Sequence, residues 1–345
     1  MKLGVSKYRN DNGVSCYVNS ILHILQQTPI FSDWLFTKDL NPNNKITYEM
    51  ARLFRLSCTN DNIIITPSTF KRCVGERDDI WLEHQQQDSQ EYLTFILSEI
   101  DDEYIAENKT KKLEFIPGVN KYSDIDKIDP SDIYKLIGSL NKKCSIIKEL
   151  FFGSISSNIK CEYCSTGSSS FEEFSTLSID IPSEDDEKQS FSLEDCLKNT
   201  FSDEQLDEHN KSYCEFCGIK NKGFKKNSIW KPPHILIIHL KRFKFTAGAA
   251  KNTNVINYPI NDLDMSKYID VNSPYIDVNS KYDLFGVNIH EEFGYKSINA
   301  GHYTSIVLNR YDSKFYLFND SREAIKLNKK DVQNDNAYLL FYIKR

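Results

Sequence analysis

Glycine and proline are scarce in this chain, 13 and 10 of 345 residues. That scarcity argues against a largely unstructured protein, so most of the chain is expected to fold. There is no basic surplus either. Its 43 lysines and arginines are outnumbered by 49 acidic residues, giving a net charge of −6. A protein that binds nucleic acid by neutralising phosphates carries the opposite balance, so that class is disfavoured. No apolar run reaches the length of a membrane span; the longest candidate, Ile235 to Leu240, is strand-sized. The start, MKLGVSKYRND, lacks the apolar core of a secretory signal. The expectation is an intracellular, reducing setting, cytoplasmic or nuclear, with neither membrane nor nucleic acid as partner. Paired cysteines there more often hold metal than form disulfides.

Cysteine is what the chain does have. Four of its nine cysteines form two tight pairs, Cys161-x-x-Cys164 and Cys214-x-x-Cys217. Thiolates are soft ligands, and a closed tetrahedral zinc site takes four of them. Turn residues follow each pair, in Cys164-Ser165-Thr166-Gly167 and in Cys217-Gly218. One structural Zn2+ per chain is expected, with no position left for a reactive water. The stretch between the pairs exceeds a compact zinc ribbon, so the metal is expected to fasten the tip of two long hairpins.

A different cysteine carries the candidate chemistry. Asn12-Gly13-Val14-Ser15 reads as a turn feeding a helix that starts near Cys16, where Val18, Ile21, Leu22 and Leu25 follow helical spacing. A helix N-terminus stabilises thiolate and offers unpaired backbone N–H groups to an oxyanion. His302 lies in Asn299-Ala300-Gly301-His302-Tyr303, ahead of the aromatic strand Phe315-Tyr316-Leu317-Phe318 and the pair Asn319-Asp320. A hairpin there would set Asn319 or Asp320 beside His302, giving nucleophile, base and orienter. His234 and His239, flanking a strand, read as structural; His23 and His209 read as exposed.

Residues 1 to about 105 read as mostly helical, including a segment from Ser89 in which Tyr92, Phe95, Ile96 and Ile100 share a face. Residues 101 to 143 read as a charged surface excursion. Short strands follow, at Ser175 to Ile181, His234 to Phe245, Tyr303 to Leu308, Phe315 to Phe318 and Ala337 to Tyr342. Helices first and strands later give an α+β class with an antiparallel sheet. Tyr268-Ile269-Asp270-Val271-Asn272-Ser273 recurs from Tyr275 and reads as a duplicated surface loop.

Taken together these residues resemble the ubiquitin-specific protease family of deubiquitinases, over nearly the whole chain. Gly13 to Ser20 is similar to its cysteine box, and Gln86-Gln87-Asp88-Ser89-Gln90-Glu91 to its Gln-Gln-Asp box. Leu150 to Gly153, both cysteine pairs, His239 to Phe243, Gly301 to Thr304, Tyr316 to Asp320 and Ala337 to Tyr342 follow in the family's order. The resemblance implies a papain-like peptidase with a thumb (1–148), zinc-bearing fingers (149–235) and an antiparallel-sheet palm (236–345). It implies ubiquitin and ubiquitinated proteins as partners, and hydrolysis after ubiquitin's C-terminal glycine. Cys16 would be nucleophile, His302 general base and acid, and Asn319 or Asp320 the orienter. Gln86, Asp88, Glu91 and Tyr303 would meet ubiquitin; the two carboxylates lie one helical turn apart and suit a tail that carries arginines.

One departure stands out. The family places an Asn five residues before the Cys, donating to the oxyanion. Here that position is Asp11, and an ionised carboxylate cannot donate. Asn10 or Asn12 would substitute only if the loop shifts. Asp11 supports an alternative, a ubiquitin-binding module with weak or no turnover.

Overall fold

The computed structural model describes residues 4–11, 13–37, 39–59, 63–82, 85–108, 145–182, 190–244, 250–292 and 301–345. The N-terminal part is helical: α1 (Cys16–Gln27), α2 (Phe31–Thr37), α3 (Lys45–Ser57), α4 (Ser68–Gly75), α5 (Ser89–Asn108) and α6 (Ile146–Phe151). Helix α1 ends at Thr28, whose N–H reaches the Leu25 carbonyl at 3.2 Å. Pro29 follows, disfavouring helical geometry at the residue before it. All twelve residues of α1 are buried, not only the apolar face. The helix packs between α5 and the sheet described below, so no side of it meets water. His23, expected to be exposed, is 2% exposed. Its ring stacks on Phe318 at 4.1 Å and lies 4.7 Å from Tyr8. Helix α5 runs on through Asn108, so the stretch expected to leave the fold at residue 101 begins as helix. Residues 109–144 lie outside the described residues.

Strands take over after α6. In chain order they are β1 (Gly153–Cys161), β2 (Gly167–Phe174), β3 (Leu177–Ile179), β4 (Glu204–Leu206), β5 (Ser212–Cys214) and β6 (Ile219–Asn221). Then come β7 (Gly223–Lys231), β8 (Ile235–Leu240), β9 (Lys281–Glu292), β10 (Gly301–Asn309), β11 (Lys314–Phe318), β12 (Ile325–Leu327) and β13 (Ala337–Lys344). The smaller sheet has the order β2-β1-β7-β4 and carries the β5–β6 hairpin beyond its end. The larger runs β12-β11-β10-β9-β13-β8-β3, with Leu263–Asp264 paired to β9. Its neighbours are antiparallel except β3, which lies parallel to β8. An antiparallel sheet was expected, so this one edge is a correction.

The larger sheet is covered on both faces, which explains the unbroken apolar run of β8. Ile235 and Ile237 join the core shared with the helices, while Leu236, Ile238 and Leu240 face a second core. Leu339 and Phe341 of β13 repeat the alternation against Leu340 and Tyr342. Successive side chains point to opposite faces, so a strand buried on both reads as continuously hydrophobic. Strand β9 was not legible in the sequence. Its pairing with β13 shifts register between Leu284 and Gly286 and again between Asn288 and Ile289. Each irregularity interrupts the period-two pattern.

The duplicated hexapeptide is not a simple surface loop. In its first copy Tyr268, Ile269 and Asp270 are buried, and the Asp270 carboxylate accepts from Ser156 Oγ at 2.6 Å and Asn158 Nδ2 at 3.0 Å on β1. That copy clamps the base of the smaller sheet. The second copy is largely exposed.

Candidate active site and thiol cluster

Strands β10 and β11 pair with Ser305 opposite Phe318, which brings the residues beyond β11 alongside the start of β10. His302 Nε2 lies 2.9 Å from Asn319 Oδ1. An amide oxygen only accepts, so Nε2 carries the ring proton and Nδ1 keeps its lone pair for a base's work. Asp320 Oδ2 is 3.9 Å from the same Nε2. Asp320 holds φ at +48°, a left-handed conformation that Asp tolerates better than most residues. Its carboxylate accepts from Asn10 Nδ2 at 3.0 Å and Asn19 Nδ2 at 2.8 Å. That clamp joins residues from opposite ends of the chain and was missed in the sequence. Asn19 lies within the cysteine box, but nothing local says what it holds.

Cys16 is the first residue of α1 and is fully buried. Burial pushes its thiol up to about 11. Hydrogen bonds from the backbone of Tyr303, Tyr17 and Cys16 itself pull the other way, while the Asp320 charge adds to the rise. Burial thus favours the neutral thiol over the thiolate at Cys16. The Tyr303 contact places the sulfur beside the residue that follows His302. The structure thus gathers Cys16, His302, Asn319 and Asp320 in one place.

The expected ubiquitin contacts surround them. Gln86 clasps the Gly301 backbone twice: its Nε2 donates to the Gly301 carbonyl at 2.5 Å and its Oε1 accepts from the Gly301 N–H at 2.9 Å. A side chain at position 301 would stand 2.2 Å from His290 Nε2, so only glycine allows this approach. Asp88 caps α5, accepting from Gln90 N at 2.6 Å, and its other oxygen accepts from Tyr338 Oη at 2.5 Å. Glu91 is exposed on the helix surface, but partial desolvation of its carboxyl, followed by the Asp88 charge, raises its pKa. Tyr303 is 4% exposed. Asp11, at the position where the resemblance places the oxyanion donor, is exposed and lies 3.8 Å from Arg9 Nε. Asn12 lies outside the described residues. Asn10 spends its amide on Asp320 and its oxygen on the Ser15 N–H at 2.8 Å. Lys71 of α4, which the sequence reading passed over, donates to Ser15 Oγ at 2.5 Å.

The four paired cysteines meet at the far end of the smaller sheet, their sulfurs all within 4.8 Å of one another. Cys164 and Cys214 Sγ are 3.5 Å apart. Zinc–sulfur bonds of ~2.3 Å in a tetrahedron separate sulfurs by about 3.8 Å, so the set fits that ion. Both pairs use one turn. The Ser165 N–H bonds the Cys161 carbonyl and the Gly218 N–H the Cys214 carbonyl, each at 2.9 Å. Ser165 and Gly218 follow with φ of +59° and +69°. Hydrogen bonds from Thr166 draw the Cys164 thiol down to about 6, while its neighbours, Cys164 first, push Cys217 up to about 12. Crowded thiols resist ionising together, and a bound dication removes that resistance. All eight described cysteines are free thiols.

The match that decides the family covers residues 9–342, to the family described as ubiquitin carboxyl-terminal hydrolase. The chain belongs to the ubiquitin carboxyl-terminal hydrolases. A probable ubiquitin carboxyl-terminal hydrolase of Acanthamoeba polyphaga mimivirus is 31% identical over 339 residues, covering 88% of this chain and 70% of the relative. Human ubiquitin carboxyl-terminal hydrolase 2 is 28% identical over 98% of this chain, which spans 55% of the human protein. The fold is shared with the SAGA deubiquitinating module Ubp8/Sgf11/Sus1/Sgf73 bound to monoubiquitin, at a TM-score of 0.74 and 24% identity over all of this chain and 70% of that one. The same module bound to ubiquitin aldehyde gives 0.73 at 23% identity. The hydrolases of this family are cysteine-type deubiquitinases, and the binding-only alternative is not favoured. Among the described residues no helix is long and apolar enough to cross a membrane.

Proposed function

We propose that this chain hydrolyses the bond after the C-terminal glycine of ubiquitin, with Cys16 as nucleophile, His302 as base and acid, and Asn319 as orienter. The observation that carries the reading is the 2.9 Å bond from His302 Nε2 to Asn319 Oδ1, formed beside a cysteine at the buried start of a helix. His302 Nδ1 takes the Cys16 proton as sulfur attacks the glycine carbonyl. The imidazolium returns that proton to the departing amine, leaving a thioester between Cys16 and ubiquitin. Water, deprotonated by the same imidazole, then frees the carboxylate and the thiol. Asp320, held by Asn10 and Asn19, is the fallback orienter. Gln86, Asp88, Glu91 and Tyr303 line the path of the ubiquitin tail. Gln86 and Asp88 already have intramolecular partners, which leaves Glu91 as the carboxylate freest to meet an arginine.

In the same reading the parts divide as thumb (1–148), fingers (149–235) and palm (236–345), with β3 returning from the fingers to the palm sheet. Cys161, Cys164, Cys214 and Cys217 would hold one structural zinc, whose charge neutralises the thiolates and ties the two turns together. The substrate is ubiquitin on a lysine or another amine, gripped by the fingers, in an intracellular compartment that keeps thiols reduced. A ubiquitin vinyl-sulfone probe tests the chemistry. Wild type should acquire one ubiquitin, and Cys16→Ala none. Equal labelling of both would end the assignment of Cys16.

A further inference from the structure

Asp11 leaves the reaction without its expected side-chain donor, and the Asn10 amide is committed to Asp320. Among the described residues, another polar side chain approaches the start of α1. Lys71, half-buried on α4, points its ammonium at the hydroxyl of Ser15, the residue immediately before Cys16. Ser15 is itself buried, at 2% exposure, and is the N-cap of α1. A serine there ordinarily turns its oxygen onto the first helical N–H groups. This one makes no such bond. Its oxygen faces Lys71 instead, and the capping arrangement that would stabilise the helix has been given up. Lys71 also lies close enough to Asp11 for the two charges to interact.

The geometry points to Lys71 as a positioning residue: held by Ser15 at the α1 N-terminus and close enough to Asp11 to offset its charge, it raises the positive potential at the helix end where Cys16 attacks and a negative oxygen forms. This rests on the reading that Cys16 is the nucleophile. A cation fixed near developing negative charge lowers the barrier without reorganising during the reaction. Its charge adds to the fixed partial charge of the helix end.

The test uses the full chain and the variants Lys71→Met, Lys71→Arg and Ser15→Ala. Three quantities are measured: kcat and KM on a fluorogenic ubiquitin C-terminal amide, affinity for ubiquitin, and affinity for ubiquitin aldehyde. The aldehyde forms a tetrahedral adduct with Cys16 that resembles the reaction's intermediate. Loss of one oxyanion donor costs roughly 10²–10³ in kcat. Lys71→Met should lose about that much in kcat, with KM within twofold, while ubiquitin binds as before and the aldehyde at least tenfold more weakly. Lys71→Arg should recover most of the loss, because the charge returns. Ser15→Ala, which frees the ammonium, should fall between wild type and Lys71→Met. Unchanged kcat and aldehyde affinity in Lys71→Met would overturn the proposal while leaving the deubiquitinase reading intact. So would equal weakening of ubiquitin and aldehyde, or no recovery with Arg, since either marks a structural role. A wild-type chain that neither cleaves the amide nor captures the aldehyde would instead refute the reading on which this rests.

Discussion

The chemistry turns on a few atoms around one imidazole. His302 Nε2 is 2.9 Å from Asn319 Oδ1 and 3.9 Å from Asp320 Oδ2. In the proposed mechanism the shorter contact is the reason Asn319 is taken as orienter ahead of Asp320. A base or acid placed at a reacting proton contributes about 10²–10⁴ in rate. His302→Ala should therefore lose at least about that much of kcat, and Asn319→Ala less, since it removes only the group that aims the ring. Steady-state kinetics of the two variants decides this. A silent Asn319→Ala beside a dead Asp320→Ala would transfer the role to Asp320. Asp11 is the other residue whose role kinetics can settle. Its carboxylate is exposed and close to Arg9, so its field is already reduced. Asp11→Asn should still raise kcat, by about tenfold rather than the full effect of an oxyanion donor. An unchanged or lower rate would show that the Asp does not burden the reaction.

The smaller sheet is fastened at both ends. At the tip, paired turns with identical hydrogen bonding present four sulfurs to one point. In the proposed zinc site, removing one thiolate would open the closed coordination shell and leave the other three sulfurs crowded. Cys214→Ser should lose the bound metal, lower the melting temperature, and weaken ubiquitin binding more than it slows turnover. Elemental analysis of freshly reduced wild type should give one zinc per chain, and finding none would overturn the metal site. At the base, Asp270 is the fastening point. Burial opposes its charge, yet hydrogen bonds from Ser156, Asn272 and Asn158 hold its carboxyl below the usual aspartate range. A depressed folded value stabilises the fold above the unfolded pKa near ~3.9 and loses that contribution as pH falls below it. Hydrogen bonds to a charged group contribute about 1.5–3 kcal/mol, so Asp270→Ala should cost at least about that much at pH 7. The gap to wild type should narrow as pH falls from about 4 through the depressed folded value. Denaturant melts at both pH values measure it, and a pH-independent gap would contradict the charge-based account.

Across the whole molecule, what the sequence disclosed and what it hid have different physical causes. Short motifs were legible because their function depends on local spacing: two residues between thiols, a cysteine at a helix start, a glycine before a histidine. The hidden features depend on distant partners. The clamp from Asn10 and Asn19 to Asp320 spans almost the full chain, and the Lys71–Ser15 contact joins two helices. Helix α1 reads as amphipathic yet is buried all round, because helices cover one side and the palm sheet the other. Strand β9 was obscured by its own register shifts. One half of a repeated hexapeptide became an anchor because only that copy reaches β1. The central claim, that this fold exists to make Cys16 attack ubiquitin's terminal carbonyl, is open to one direct measurement. Steady-state hydrolysis of a ubiquitin C-terminal fluorogenic amide should be robust for wild type. It should be abolished in Cys16→Ala, while that variant still binds ubiquitin with nearly unchanged affinity. Turnover retained by purified Cys16→Ala, or no turnover by zinc-replete wild type, would contradict it.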